Sequence, residues 1–160
     1  RFDDYLDTLS RAMTIDTAMT SRPSLIEASK SRASGNDTLL YARGMLIAFL
    51  TDLKMLANSG SKRNVDDLLR SIYEKYRDPR DRTDGNEAIL QAIGDTEIKR
   101  YVETSEPIAW TSVLKTFGIE KLDQPGSSIL KVVQDPSSSQ KKLLDKLGYN
   151  NWRNSSVGPK

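Results

Sequence analysis

A tyrosine and a glycine lie close together at the beginning of the most apolar stretch of the chain. Tyr41 and Gly44 belong to Leu39–Gly60, whose composition and spacing predict one long buried helix. A tyrosine hydroxyl can donate a hydrogen bond to an oxyanion developing on a carbonyl oxygen, which contributes roughly 3 to 4 kcal/mol when the donor is preorganised. Glycine would let a neighbouring backbone approach the same face closely. Tyr41 is therefore a candidate donor of this kind; the alternative is a core tyrosine whose hydroxyl reaches the edge of the fold, and the residues alone leave both open.

Two charged residues of the same stretch allow more than one interpretation. Arg43 follows Tyr41 closely and is either solvated or part of a salt bridge. Asp52 stands among leucines, so it is either a buried acid with a partner or an acid turned to solvent. Neither residue is assigned a catalytic role.

The residue types of the chain exclude several common kinds of site. The sequence contains no His and no Cys, which rules out a Ser-His-Asp triad, a thiol nucleophile and a His-Glu-x-x-His zinc helix within it. No glycine run precedes a helix in a phosphate-binding pattern. The acidic loop from Asp78 to Glu87 fails as a calcium loop, because alignment on Gly85 places Arg80 and Arg82 at ligand positions.

Composition and charge favour a polar globular domain without a nucleic-acid or membrane partner. Of 160 residues, 37% are hydrophobic and 29% charged, and 24 basic against 22 acidic residues give a net charge of +2. Basic and acidic residues alternate, so no cationic stripe faces phosphates. No apolar run reaches the ~20 residues that span a bilayer. The chain begins at Arg1 and ends in a polar tail, and we therefore expect a fragment of a longer protein, whose compartment stays open.

Helical periodicity runs through most of the chain and predicts an all-α fold. We expect an irregular array of about six to eight helices around one long buried central helix, with residues 1–122 as a helical subdomain and 123–160 as a linker, a C-terminal helix and a polar tail. Asn64, Asp95 and Ser137 are predicted helix N-caps. Residues 124–128 read as a linker, and 129–133 as either a helical turn or a short strand. The predicted helices span about 3–13, 25–28, 39–58, 65–76, 86–93, 96–102, 107–117 and 140–147.

Several segments, in this order, resemble the region downstream of the zinc site in glycyl-aminopeptidase-type zinc metallopeptidases, which are thermolysin-like gluzincins. The resemblance covers roughly residues 2–120. It is carried by Tyr5-Leu-x-x-Leu9, Ser24-Leu-Ile-Glu-Ala-Ser29, Tyr41-Ala-Arg-Gly44, Thr51-Asp-Leu53, Asn64-Val-Asp-Asp-Leu-Leu-Arg70, Ile98-Lys-Arg-Tyr-Val-Glu-Thr-Ser-Glu-Pro107 and the helix from Trp110 to Gly118. The sequence departs from the family where Arg43 replaces lysine and Asn64 replaces serine.

The resemblance implies a catalytic role for one residue of this chain. In these peptidases and their aminopeptidase relatives, the tyrosine at the position of Tyr41 stabilises the tetrahedral intermediate beside zinc. The resemblance also implies that the zinc ligands and the general-base glutamate lie upstream of Arg1. No metal and no cofactor is then held by this chain, whereas the parent protein holds zinc and acts on peptides, in the periplasm or after secretion.

The sequence therefore predicts the helical C-terminal part of a zinc aminopeptidase, whose partner is the upstream zinc-binding half of the same protein. Alone, this part is expected to be inactive. The rival hypothesis is a non-catalytic helical interaction or scaffold domain, favoured by the amphipathic helices and the missing metal ligands. A third, a helical domain that binds a small molecule, has no dedicated residue in its support.

Overall fold

Eight α-helices and one antiparallel hairpin make up the part of the chain that the computed structural model describes, which is residues 1–18, 22–30, 37–78, 80, 83–148 and 151–154. The largely helical fold predicted from the sequence is confirmed. The elements are α1 (Phe2–Ala18), α2 (Leu25–Lys30), α3 (Asp37–Asn58), α4 (Val65–Tyr76), α5 (Gly85–Ala92), α6 (Thr96–Glu103), α7 (Trp110–Thr116), β1 (Ile119–Gln124), β2 (Ser127–Val132) and α8 (Ser138–Leu147), followed by a 3₁₀ turn, Asn151–Asn154.

The 22-residue helix α3 packs against much of the molecule. Ten of its residues are buried, among them Leu46, Leu50 and Leu53, which are almost completely shielded from solvent. It contacts α1, α2, α4, α6, α7 and α8. Phe49 extends the core sideways, because its ring stacks on Trp110 at 5.9 Å and meets the Tyr5 ring edge-on at the same distance. A helix buried on this scale is stabilised mainly by apolar burial.

Side-chain caps begin the helices at the residues that the sequence indicated. Asn64 accepts a hydrogen bond from the Asp67 amide at 3.2 Å, and the Asp67 carboxylate accepts one from the Asn64 amide at 3.0 Å, which completes a capping box. Ser137 and Gln140 form a second capping box at α8, and the Asp95 carboxylate caps α6 by accepting from the amides of Glu97 and Ile98. These bonds satisfy amides that have no partner within the helix.

The prediction of a strictly all-α fold is wrong, because residues 119–132 form a β-hairpin. Its register runs from Ile119 opposite Val132 to Gln124 opposite Ser127. The segment 124–128, predicted as a linker, instead contains the turn and the beginning of β2, with Gly126 at a φ of +76° that favours glycine. The undecided segment 129–133 is strand as far as Val132. The proposed division after residue 122 falls inside β1.

Helix α1 covers the outer edge of β2. The Leu130 amide donates to the Ser10 hydroxyl at 2.8 Å, and the Ser128 amide donates to the Thr14 hydroxyl at 2.9 Å. Each hydroxyl in turn donates to a carbonyl four residues earlier in α1. The helix thus pairs amide groups of a strand edge that would otherwise be open.

Two predicted segments lie wholly or largely outside the described residues: the loop between α2 and α3, where 31–36 are not described, and the tail from residue 155. Within the described ranges, none of the helices combines the length and apolar character needed to cross a bilayer.

Candidate functional site

Tyr41 lies on a face of α3 whose exposed residues between 39 and 56 are uncharged. Between residues 39 and 56, all of which are described, the exposed residues are Tyr41, Met45 and Ala48. Their spacing of four and then three residues places them on one side of the helix. Tyr41 is 62% exposed, so its ring is not sealed in the core. We call these three residues the open face of α3.

The opposite side of the same helical turn carries a buried cation. Arg43 is completely buried, and its Nη1 lies 3.1 Å from Asp16 Oδ1 at the end of α1. Its Nη2 donates to the carbonyl oxygens of Tyr101, Thr104 and Glu106 at 3.0, 3.3 and 2.7 Å. Of the two interpretations left open by the sequence, the salt bridge is correct. The guanidinium joins α1, α3 and the end of α6 at the turn that presents Tyr41.

A second arginine completes this buried cluster. Arg22 Nη1 lies 2.9 Å from Asp16 Oδ2, and Arg22 Nε donates to the Ser105 carbonyl at 2.9 Å. Two cations therefore share one carboxylate, and carbonyl dipoles of residues 101–106 compensate the remaining positive charge. The Nε atom of Arg43 is buried without a hydrogen-bond acceptor among the described residues. The arrangement depends on both the ion pairs and the carbonyls.

Sequence reasoning missed Asp16, and a signal for it was present. Helix α1 has apolar residues at helical spacing, namely Phe2, Leu6, Leu9 and Met13. Residue 16 is three positions after Met13 and therefore lies on the same side of the helix. An acid at a core position requires a buried partner. The matching basic residue on a neighbouring helix could not be chosen without tertiary contacts.

Gly44 borders an apolar groove of about 320 Å³ between α2, α3, α4 and α5. A Cβ atom added at this residue would meet nothing within 4 Å. The expected close approach of another backbone is therefore not seen among the described residues. Instead the missing side chain leaves space, and Leu40, Ile47 and Ile26 form nearby walls of the groove.

Asp52 lies half-buried beyond the open face, one turn after Ala48. Its carboxylate accepts a hydrogen bond from the Val65 amide at 2.9 Å, at the first residue of α4. Of its two proposed interpretations, the acid with a partner is the correct one. Burial raises the pKa of Asp52 and the nearby Asp66 carboxylate adds to the rise, against the lowering effect of the Val65 amide. Burial, with a smaller contribution from Asp52, raises the pKa of Tyr5 to about 12.

The described residues contain no group of three or more His, Cys, Asp or Glu side chains placed to hold a metal ion. What the site offers chemically is an exposed phenol on a helix that is fixed from its buried side. Comparison with family models, curated proteins and solved structures gives no match to this chain. Functional conclusions therefore depend on its own residues and their geometry.

Proposed function

We propose that this chain is the helical C-terminal part of the catalytic region of a zinc-dependent aminopeptidase, in which Tyr41 donates a hydrogen bond to the oxyanion of the tetrahedral intermediate. The observation that carries the proposal is the position of Tyr41. Its phenol is 62% exposed, whereas ten of the 22 residues of α3 are buried. A core tyrosine would have its ring packed inside, whereas most of the surface of this residue faces solvent.

The buried arginine supports the proposal by linking two segments on which the family resemblance depends. Arg43 belongs to the Tyr41–Gly44 segment, and its guanidinium binds carbonyls of the segment 98–107. Two motifs distant in the sequence are thus parts of one structural unit. The turn that carries Tyr41 is held on its buried side, and a hydrogen-bond donor contributes strongly to catalysis when it is preorganised.

The composition of the open face of α3 supports the proposal that a partner packs on this side of the helix. Tyr41, Met45 and Ala48 carry no charge, whereas the solvent-facing side of a surface helix is ordinarily rich in charged residues. The partner we propose is the upstream zinc-binding half of the same protein. Its packing on the open face would make α3 the long buried central helix of the catalytic region, with the Tyr41 hydroxyl at the boundary between the two halves.

This chain's residues do not fit the role of zinc ligands. The sequence lacks His and Cys, and the described carboxylates form no suitable cluster. Under the proposal, the metal and the general-base glutamate belong to the upstream half. The contribution of this chain is a neutral phenol, which donates its proton in a hydrogen bond as negative charge develops on the carbonyl oxygen and keeps that proton throughout.

The test uses the intact protein that includes the residues encoded before Arg1. We expect a His-Glu-x-x-His motif followed by a glutamate in those residues, and hydrolysis of short peptides from their amino end. Activity should disappear with a chelator and return with zinc, while residues 1–160 alone remain inactive. An upstream region without metal-ligand motifs, or hydrolysis by the isolated chain, would contradict the proposal.

A non-catalytic interaction domain is the second candidate, favoured by a different part of the surface. Leu69 and Tyr73 on α4 and Ile89 on α5 are exposed by 57, 65 and 45%. Large apolar side chains on adjacent helices are typical of binding surfaces. This candidate predicts that replacing Leu69 and Tyr73 with Ser abolishes partner binding, whereas Tyr41→Phe changes nothing.

A further inference from the structure

The apolar groove beside Gly44 is a recess with a buried floor and an exposed rim. Ile47, Leu68 and Ile93 line it and are buried, whereas Leu69 and Ile89 line it and are exposed. None of the described residues that line the groove is charged. A charged group on this floor would lose hydration without gaining a partner. The groove therefore favours a neutral, largely apolar occupant.

The volume of the groove sets the size of such an occupant. An apolar cavity of about 150 Å³ stays dry and binds benzene. The groove, at about 320 Å³, has roughly twice that volume, which corresponds to two fused aromatic rings. Gly44 contributes to the space, because a Cβ atom at that residue would meet nothing within 4 Å.

Three of the described residues that line the groove are polar, and one of them has a side chain that the fold does not use. The hydroxyls of Thr51 and Ser29 donate to the carbonyls of Ile47 and Ile26, each at 2.8 Å and within its own helix. Asn86 is exposed near the beginning of α5, and its carboxamide forms no hydrogen bond with the described residues. A carboxamide can both donate and accept. Apolar walls with a few polar groups are typical of small-molecule sites.

We infer that the groove binds a small neutral aromatic molecule of two fused rings, with the rings on the apolar floor and one hydrogen-bonding group of the molecule at Asn86. Helices α2 to α6 each contribute residues to the walls. The volume accommodates one ring system, whereas a docked helix buries anchors from several successive turns. The inference depends neither on Tyr41 nor on the zinc-binding half.

The test is calorimetry on the intact protein with 2-naphthol, which carries one hydroxyl on two fused rings and is neutral at physiological pH. We expect one molecule to bind per chain. Naphthalene-2,6-dicarboxylate has a charge at each end, so one carboxylate would enter the apolar floor, and it should bind at least about tenfold more weakly. Equal affinity for the two compounds would overturn the inference.

Two substitutions test the floor and the rim separately. Gly44→Leu fills the open space and replaces a poor helix former with a good one, so the fold should be retained while 2-naphthol binding weakens at least about tenfold. Ala57→Leu adds similar bulk on an exposed part of α3 outside the groove and should leave the affinity unchanged. Asn86→Ala removes one neutral hydrogen bond and should weaken binding about two- to tenfold.

NMR provides a second readout that locates the ligand. Addition of 2-naphthol should shift the methyl signals of Ile26, Ile47 and Ile72, which line the groove, and leave that of Ile108, which does not. The Gly44→Leu variant should show no such shifts.

Each contrary result has its own meaning, and none depends on peptidase activity. Absence of saturable binding shows that the groove is closed or filled by the upstream half. Binding that Gly44→Leu leaves unaltered in a folded protein places the ligand elsewhere. A change of oligomeric state in that variant shows that a second copy occupies the groove. All three overturn the inference.

Discussion

Two residues of one helical turn, Tyr41 and Arg43, face opposite sides of α3 and differ sharply in their surroundings. The tyrosine is 62% exposed, whereas the arginine is completely buried and holds Asp16 and three carbonyl oxygens. A cation without water is tolerated only where its charge and donors find partners. Arg43 thereby holds the helical turn that carries Tyr41 against α1 and the end of α6.

Replacement of Arg43 by Met should destabilise the protein strongly. The variant leaves three carbonyl groups without their donor and removes one of the two cations on Asp16, although Arg22 remains 2.9 Å from that carboxylate. Breaking a buried ion pair from one side costs about 3–5 kcal/mol, and we expect the lower end of that range. Urea unfolding measures the change, with Arg70→Met on the exposed side of α4 as the matched control, expected to lie within about 0.5 kcal/mol of the parent. A similar small change for Arg43→Met would contradict the proposed importance of the cluster.

The role of a single residue could be predicted where it depends on residues nearby in the sequence. The caps at Asn64, Asp95 and Ser137 followed from residue type at a helix start, and the structure confirms them. The partner of Arg43 did not follow, because Asp16 lies 27 residues away in the sequence. In the sequence, a long-range ion pair of this kind is indicated only indirectly, by an acidic residue that continues a row of apolar residues at helical spacing.

At the scale of elements, α1 and the hairpin depend on one another. Hydroxyl groups of Ser10 and Thr14 accept the amide protons of Leu130 and Ser128 on the edge of β2. The same hydroxyls donate back to the carbonyls of α1, so each side chain bridges two elements. The edge of a two-stranded sheet is covered by a helix through side chains rather than through a third strand.

Loss of the Ser10 hydroxyl should expose that edge. Ser10→Ala leaves the buried Leu130 amide without an acceptor, which costs about 1–3 kcal/mol. Hydrogen exchange at the Leu130 amide should accelerate, and urea unfolding should show the loss in stability. Thr8→Ala is the control, because the Thr8 hydroxyl also donates to a carbonyl four residues earlier yet accepts no strand amide in the structure. Equal protection of the Leu130 amide in the two variants would show that α1 does not hold the edge.

The elements themselves show why the helices were predicted and the strands were not. Helix α4 runs from Val65 to Tyr76 as predicted, because its cap and its apolar stripe are both local. Neither six-residue strand, IEKLDQ or SSILKV, alternates strictly between apolar and polar residues, which is the pattern that indicates a half-buried strand. Their stability comes from pairing with each other and with α1, and no local sequence pattern reports such contacts.

At the scale of the whole molecule, large exposed apolar side chains are distributed over several helices. The large exposed ones among the described residues are Tyr5, Tyr41, Met45, Leu69, Tyr73 and Ile89, contributed by α1, α3, α4 and α5. The open face of α3 and the groove beside Gly44 belong to this surface. Under the proposal, the upstream zinc-binding half covers the open face. The sequence could suggest Tyr41 from its motif but not its exposure, because exposure depends on which helices pack around α3.

The most direct measurement is the steady-state kinetics of Tyr41→Phe in the intact protein, with peptide hydrolysis as the assay. The substitution removes one oxygen atom and leaves the ring, so folding and zinc content should be unchanged. Loss of an oxyanion donor lowers kcat by about 10²–10³-fold, and we predict a loss of that size with little change in KM. Tyr73→Phe, at an equally exposed tyrosine on α4, should retain full activity. A Tyr41→Phe protein as active as the parent would contradict the catalytic role of Tyr41.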